Sequence, residues 1–158
     1  MLKGKIQLLG TQEAFMQYLN KKSLYVPTEV VAVFLKYMDH FNYALGELRG
    51  QLVVGMRMPG MQIRNWEEMP LSQLVEDALL LSFGIVKEYT GEETELAKEH
   101  RREREVLLMF HDYLYCKRIG VEYDLQEVLR KGERGRRQEN YGREPVAERR
   151  NARRVLHA

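Results

Sequence analysis

Residues 27–50, PTEVVAVFLKYMDHFNYALGELRG, carry the longest regular apolar pattern in the chain. Val30, Phe34, Met38, Phe41, Leu45 and Leu48 follow one another at spacings of 4, 4, 3, 4 and 3. That period lays a single apolar stripe along a helix, with Lys36, Asp39, Tyr43 and Glu47 on the opposite face. Pro27 suits a first turn, where its missing N–H would have no partner anyway, and Gly50 suits a stop. The pattern predicts one helix from Pro27 to Arg49, whose stripe must be covered by another element.

Downstream, residues 51–66 read QLVVGMRMPGMQIRNW. Pro59 and Gly60 occupy the two central positions of a type II turn, because proline presets φ and glycine accepts φ > 0. The flanks Leu52–Met58 and Met61–Trp66 can pair as a short ribbon, joined by an alternating N-terminal strand that ends at Gly10. Upstream, Thr11 is placed to cap a helix carrying Phe15, Met16 and Leu19, closed by Lys21 and Lys22.

Pro70 opens a third helix from about Leu71 to Tyr89, whose apolar arc runs through Leu74, Val75, Ala78, Leu79 and Ser82. Leu80 and Phe83 intrude on its remaining face, and the helix reads as central. A fourth helix, about Glu93 to Lys117, is charged nearly all round in its first half and apolar nearly all round in its second. One end is therefore expected in the core and the other in solvent or on a partner. Asp124 and Glu127 form a capping box for a short fifth helix through Lys131. Beyond it, Gly132, Gly135, Gly142 and Pro145 are expected to break any long helix, although Glu144–Pro145 can start a last short one.

These elements predict a mainly α-helical bundle of four to five helices with a small β-ribbon at about residues 3–9, 51–58 and 61–66. The organisation is a helical domain over 1–131, followed by an Arg-rich C-terminal arm over 132–158, extended or with a short terminal helix.

The composition narrows the function classes. The chain has 158 residues, 44% hydrophobic and 30% charged, enough for one cored domain and too apolar for wholesale disorder. The single cysteine, Cys116, excludes a disulfide framework and any Cys-based zinc cluster. No apolar run approaches the roughly 20 residues of a membrane span. Together with the lone thiol and the absence of a long apolar leader, this points to the cytoplasm.

The net charge of +2 conceals an asymmetry. Residues 1–129 carry 15 Lys and Arg against 19 Asp and Glu, a net of −4, whereas residues 130–158 carry ten against four, a net of +6. Arg134, Arg136, Arg137, Arg143, Arg149, Arg150, Arg153 and Arg154 present guanidinium forks that suit phosphate oxygens and stack on bases. Their spacing lets the arm follow a nucleic-acid backbone. Glu133, Glu139, Glu144 and Glu148 interrupt the run, which also fits docking on an acidic protein surface. The expected function is a non-enzymatic nucleic-acid-binding accessory protein, an oligomeric helical body presenting an Arg-rich arm. A protein-interaction module whose arm docks on a partner or second subunit is the alternative. Clustered methionines at 56, 58, 61 and 69 around Trp66 supply either an adaptable contact surface or core filling.

Catalytic chemistry has fewer parts to work with. His100, Arg104 and His111 fall on one side of the fourth helix. The Arg104 and His111 spacing, an arginine, six residues and a histidine, resembles the motif of the HEPN family of small helical-bundle ribonucleases. That resemblance implies an arginine stabilising the scissile phosphate and a histidine acting as general acid or base. Glu105 follows the arginine, a departure from the family pattern. Glu47, Glu67, Glu68, Glu76 and Asp77 are available for a metal-dependent nucleotide hydrolase, but adjacent Glu76 and Asp77 point about 100° apart on a helix. No Gly-rich phosphate loop, His pair at zinc spacing or nucleophile–base pair is present, so no catalytic residue, metal ligand or cofactor is assigned.

Overall fold

The computed structural model describes residues 5–60, 62–88 and 95–137, with side chains described throughout these except at 85–88, 96–97 and 133–137. In chain order these form β1 (Gln7–Leu8), α1 (Gln12–Lys21), α2 (Thr28–His40), β2 (Tyr43–Leu48), β3 (Gln51–Arg57), β4 (Ile63–Glu68), α3 (Leu71–Glu88), α4 (Glu95–Ile119) and α5 (Leu125–Arg137). The strands make one antiparallel sheet in the order β1-β2-β3-β4.

The expected helix over Pro27–Arg49 is two elements. α2 stops at His40, and Asn42 takes the left-handed conformation at φ +58, its N–H donating to the Asp39 carbonyl at 3.0 Å. Asparagine tolerates that conformation at a helix end better than most residues. The chain then runs extended through β2 and turns at Arg49 and Gly50, with φ of +53 and +80. Two left-handed residues between the closing pair Leu48 and Gln51 are the requirement of a type I′ hairpin. Leu45 and Leu48, which continued the helical stripe in the sequence, point to opposite faces of a strand, and both are buried because both faces are covered. The architecture is thus not a helical bundle with a small ribbon. Among the described residues, five helices accompany a full four-stranded sheet, in which the unforeseen β2 is the pairing partner of both β1 and β3.

The expected pairing of β3 with β4 is present. Gly60 adopts φ +86 in the connection, and a bulge lies between Val54 and Met56. On one face of the sheet, Lys21 of α1 reaches Glu47 at 2.9 Å. On the other, Trp66, Ile6 and Ile63 lie directly over Gly46 and Gly55. A Cβ at Gly46 would stand 2.5 Å from Ile6 Cγ2, and one at Gly55 2.6 Å from Ile63 Cγ2 and 2.9 Å from Trp66 Cδ2. Neither glycine is needed for its backbone angles; each is needed for its missing side chain.

Aromatic contacts tie the helices together. Phe15 stacks on Phe34 with centroids 5.3 Å apart, and Phe34 meets Phe110 edge-on at 5.7 Å, linking α1, α2 and α4. Val106 to Phe110 are buried without a break, so α4, not α3, is the central helix. The charged half of α4 does not project freely into solvent, because His100 and Glu103 are buried and Arg102 pairs with Glu29 of α2. α3 buries Leu74, Val75, Ala78, Leu79 and Ser82, as its arc predicts, and leaves Leu80 and Phe83 at the surface.

The chain divides into two units, Met1–Leu125 and Gln126–Ala158. α5 continues through Gly132 to Arg137 instead of stopping near Lys131. The two glycines inside it, Gly132 and Gly135, cost only about 1 kcal/mol each relative to alanine, and the surrounding Arg, Lys, Glu and Leu are good helix formers. No helix among the described residues is long and apolar enough to cross a membrane.

Candidate functional site

Two polar arrangements stand out, one sealed and one open. The sealed one lies between α2 and α4. Glu103 accepts hydrogen bonds from Lys36 Nζ at 2.6 Å and from Tyr37 Oη at 3.1 Å, and His100 Nδ1 stands 3.1 Å from the same carboxylate. Glu99 adds a second, looser contact to Lys36 at 3.6 Å. The hydrogen bond to Glu103, reinforced by the charges of Glu103 and Glu99, outweighs partial burial and holds the Lys36 ammonium above its ordinary pKa. The Glu103 carboxylate side chain is only 8% exposed. A saturated, buried carboxylate of this kind fixes the register of two helices and offers no open face to a substrate.

The open arrangement sits at the C-terminal end of α4. Gly120 takes φ +77, its N–H donates to the Lys117 carbonyl at 3.4 Å, and the Val121 N–H donates to the Cys116 carbonyl at 2.9 Å. These two bonds make a Schellman ending, which turns the chain back beside the helix it has just left. Residues 121–125 thereby face Tyr113 and Lys117 of α4 across a cleft of about 320 Å³, which Tyr25 closes from the α1–α2 connection. The Tyr25 N–H donates to the buried Tyr113 hydroxyl at 2.8 Å, so the connection is pinned to α4 while the Tyr25 side chain stays outside. Tyr25 is 68% exposed. The Tyr113 and Tyr123 rings lie 6.2 Å apart, and Glu122 and Asp124 add two carboxylates to the lining. Elsewhere on the last turns of α4, the Arg118 guanidinium lies over the Tyr115 ring at 5.3 Å and Ile119 is exposed, while Val121 in the cleft lining is exposed as well. A second cleft of about 340 Å³ runs along Tyr18, Leu52, Glu68 and Leu71.

Sequence reasoning did not find the first cleft, since Tyr25 lies 88 positions from Tyr113. The one legible signal was Ile119–Gly120, which marked the end of a helix. Of the arginines singled out in the sequence, Arg134, Arg136 and Arg137 lie on the last turn of α5, and Arg143, Arg149, Arg150, Arg153 and Arg154 lie outside the described residues.

His100, Arg104 and His111 are not brought together. His100 turns to Glu103, Arg104 lies over the Phe83 ring at 5.1 Å, and His111 Nδ1 is 3.8 Å from Asp112 Oδ1. None of the three lines either cleft. Among the candidate carboxylates, Glu47 pairs with Lys21 and Asp77 accepts from Gln73 on its own helix at 3.0 Å. No group of three or more His, Cys, Asp or Glu residues suited to a metal ion occurs among the described residues. Met56 and Met58 are partly exposed near the β3–β4 connection, and the single cysteine, Cys116, is buried. No protein-family model matches the chain, nor does any curated protein or solved structure.

Proposed function

We propose that this chain is a non-enzymatic nucleic-acid-binding accessory protein, acting in the cytoplasm, whose C-terminal arginines take phosphate while the end of α4 takes the bases. The observation that supports it is the pairing of exposed tyrosines with cations at that end of the helix: Tyr25 shares the cleft with Lys117, and Arg118 lies over the Tyr115 ring. Aromatic faces with adjacent guanidinium and ammonium groups are the parts from which single-strand binding surfaces are built. The +6 balance of residues 130–158 supplies the long-range attraction. The test is fluorescence anisotropy with labelled oligonucleotides over a salt series. Full-length protein with all eight arginines from Arg134 to Arg154 changed to glutamine should bind at least tenfold more weakly at low salt and with a shallower salt slope. Equal binding by the variant, or no binding by the wild type at low salt, overturns the reading.

A second reading, a protein-interaction module that joins a second copy of itself, rests on α3. Leu80 is 69% and Phe83 43% exposed, one turn apart, and the adjoining Gly84 has open space around it. A large apolar pair beside a small residue is a surface on which another helix can seat. Light scattering of the Leu80→Lys, Phe83→Ser variant should show a smaller particle than the wild type; an unchanged mass rejects this reading.

A further inference from the structure

We infer that the cleft at the end of α4 is a subsite for one unstacked nucleobase bearing an exocyclic amino group, so that the ligand is single-stranded and not duplex. The inference rests on the nucleic-acid reading above and assigns the chemistry of its site.

Four observations carry it. First, the cleft has room for a single base, and its accessible aromatic wall, Tyr25, is held by a backbone hydrogen bond to Tyr113 while its ring remains two-thirds exposed. A pinned, exposed ring is prepared to stack, because its main chain has no ordering left to lose on binding. A base inside a duplex has both faces covered by its neighbours, so only an unpaired one can meet that ring.

Second, the lining carries two carboxylates. Glu122 and Asp124 sit with the tyrosines, and carboxylates repel phosphate, which excludes the sugar–phosphate backbone from this part of the cleft. Third, Lys117 also lines it, so a cation stands where a flanking phosphate would pass.

Fourth, carboxylates select among bases. An ionised carboxylate only accepts hydrogen bonds, and the exocyclic amino groups of adenine, cytosine and guanine donate, whereas the one N–H of thymine or uracil lies between two carbonyl oxygens that repel a carboxylate. The subsite should therefore favour adenine or cytosine over thymine.

The experiment compares labelled 12-mers of dA, dC and dT and a hairpin duplex against full-length protein. Wild type should bind the dA and dC strands several-fold more tightly than dT and the duplex. Tyr25→Ala should weaken dA binding roughly tenfold with its salt slope unchanged, and Tyr25→Trp should restore it, a rescue that a folding defect would not give. Glu122→Gln should narrow the preference over dT, because an amide both donates and accepts. Binding that is indifferent to Tyr25 and to base identity, by a protein that does bind oligonucleotides, overturns this inference and leaves the arginine-arm reading standing. No binding to any strand at low salt overturns both.

Discussion

Lys36 of α2 reaches Glu103 of α4 at 2.6 Å, and the carboxylate it meets is also hydrogen-bonded by Tyr37 and contacted by His100. The two ends of that contact are unequal, because the lysine side chain is 39% exposed and the glutamate is almost enclosed. Removing the enclosed partner strands buried polar groups, whereas removing the exposed one leaves a carboxylate that still has two partners. Glu103→Ala should cost about 2–3 kcal/mol of unfolding free energy and Lys36→Ala no more than about 1 kcal/mol. Urea unfolding of both variants checks the order; a Lys36 variant less stable than the Glu103 variant contradicts it.

High pH attacks two sites at once. Burial, with a smaller contribution from the nearby Glu47 charge, raises the Tyr18 pKa, and the Glu103 hydrogen bond raises that of Lys36. In both cases the folded chain holds its proton when the unfolded chain has released it. Their contributions are therefore intact at neutral pH and are lost as pH climbs from about 10 through the raised values. Stability followed by urea titration should fall from pH 10 upward, and Tyr18→Phe should make that fall shallower. Phenolate absorbance should show late-titrating tyrosine in the wild type, and the Tyr18→Phe variant should show less of it.

Gly46 and Gly55 form the floor on which Trp66 lies. Alanine at either position pushes a β-branched isoleucine and a tryptophan ring, neither of which has a flexible end to yield. Each single substitution should destabilise by about 1–3 kcal/mol. Combining Gly55→Ala with Trp66→Leu should cost less than the sum, since the second change removes part of the clash that the first creates. Trp66 is the only tryptophan, so the emission of Gly55→Ala at neutral pH should shift if the ring is lifted from the sheet. Full additivity of the pair, with unchanged emission, would mean that the ring does not depend on the platform.

The elements that were legible in the sequence are those whose signals are local. Thr11 accepts from the Ala14 N–H at 3.1 Å as its position implied, Pro70 precedes α3, and the apolar half of α4 opens with five consecutive buried residues, Val106 to Phe110. β2 was hidden by coincidence. A strand covered on both faces loses the polar alternation that would announce it, and Leu45 and Leu48 happened to extend the spacing of the preceding helix. The contrary signs were all single residues: Gly46 inside a supposed helix, Asn42 after Phe41, and Arg49–Gly50 between two extended runs. The polar cluster and the cleft were beyond reach for another reason. Glu103 lies 66 positions from Tyr37, and Tyr25 lies 88 from Tyr113, so their meeting depends on the packing of the helices and not on any local pattern.

Asn42 is the residue at which the helical and extended readings part, and its substitution tests which one the chain obeys. Its φ of +58 belongs to a region that costs a typical L-residue about 1–2 kcal/mol, more for a β-branched one, and that glycine enters freely. Asn42→Val should therefore destabilise the fold by about 1–2 kcal/mol. Asn42→Gly should be neutral to within about 0.5 kcal/mol, because the freedom it restores to the unfolded chain offsets the relief of strain. Were residues 27–49 one continuous helix, the order would invert: valine would be tolerated and glycine, in a helix interior, would lose about 1 kcal/mol. Thermal and urea unfolding of the two variants distinguishes these orders, and circular dichroism of Asn42→Val shows whether the lost stability is accompanied by helix growth at the expense of β2.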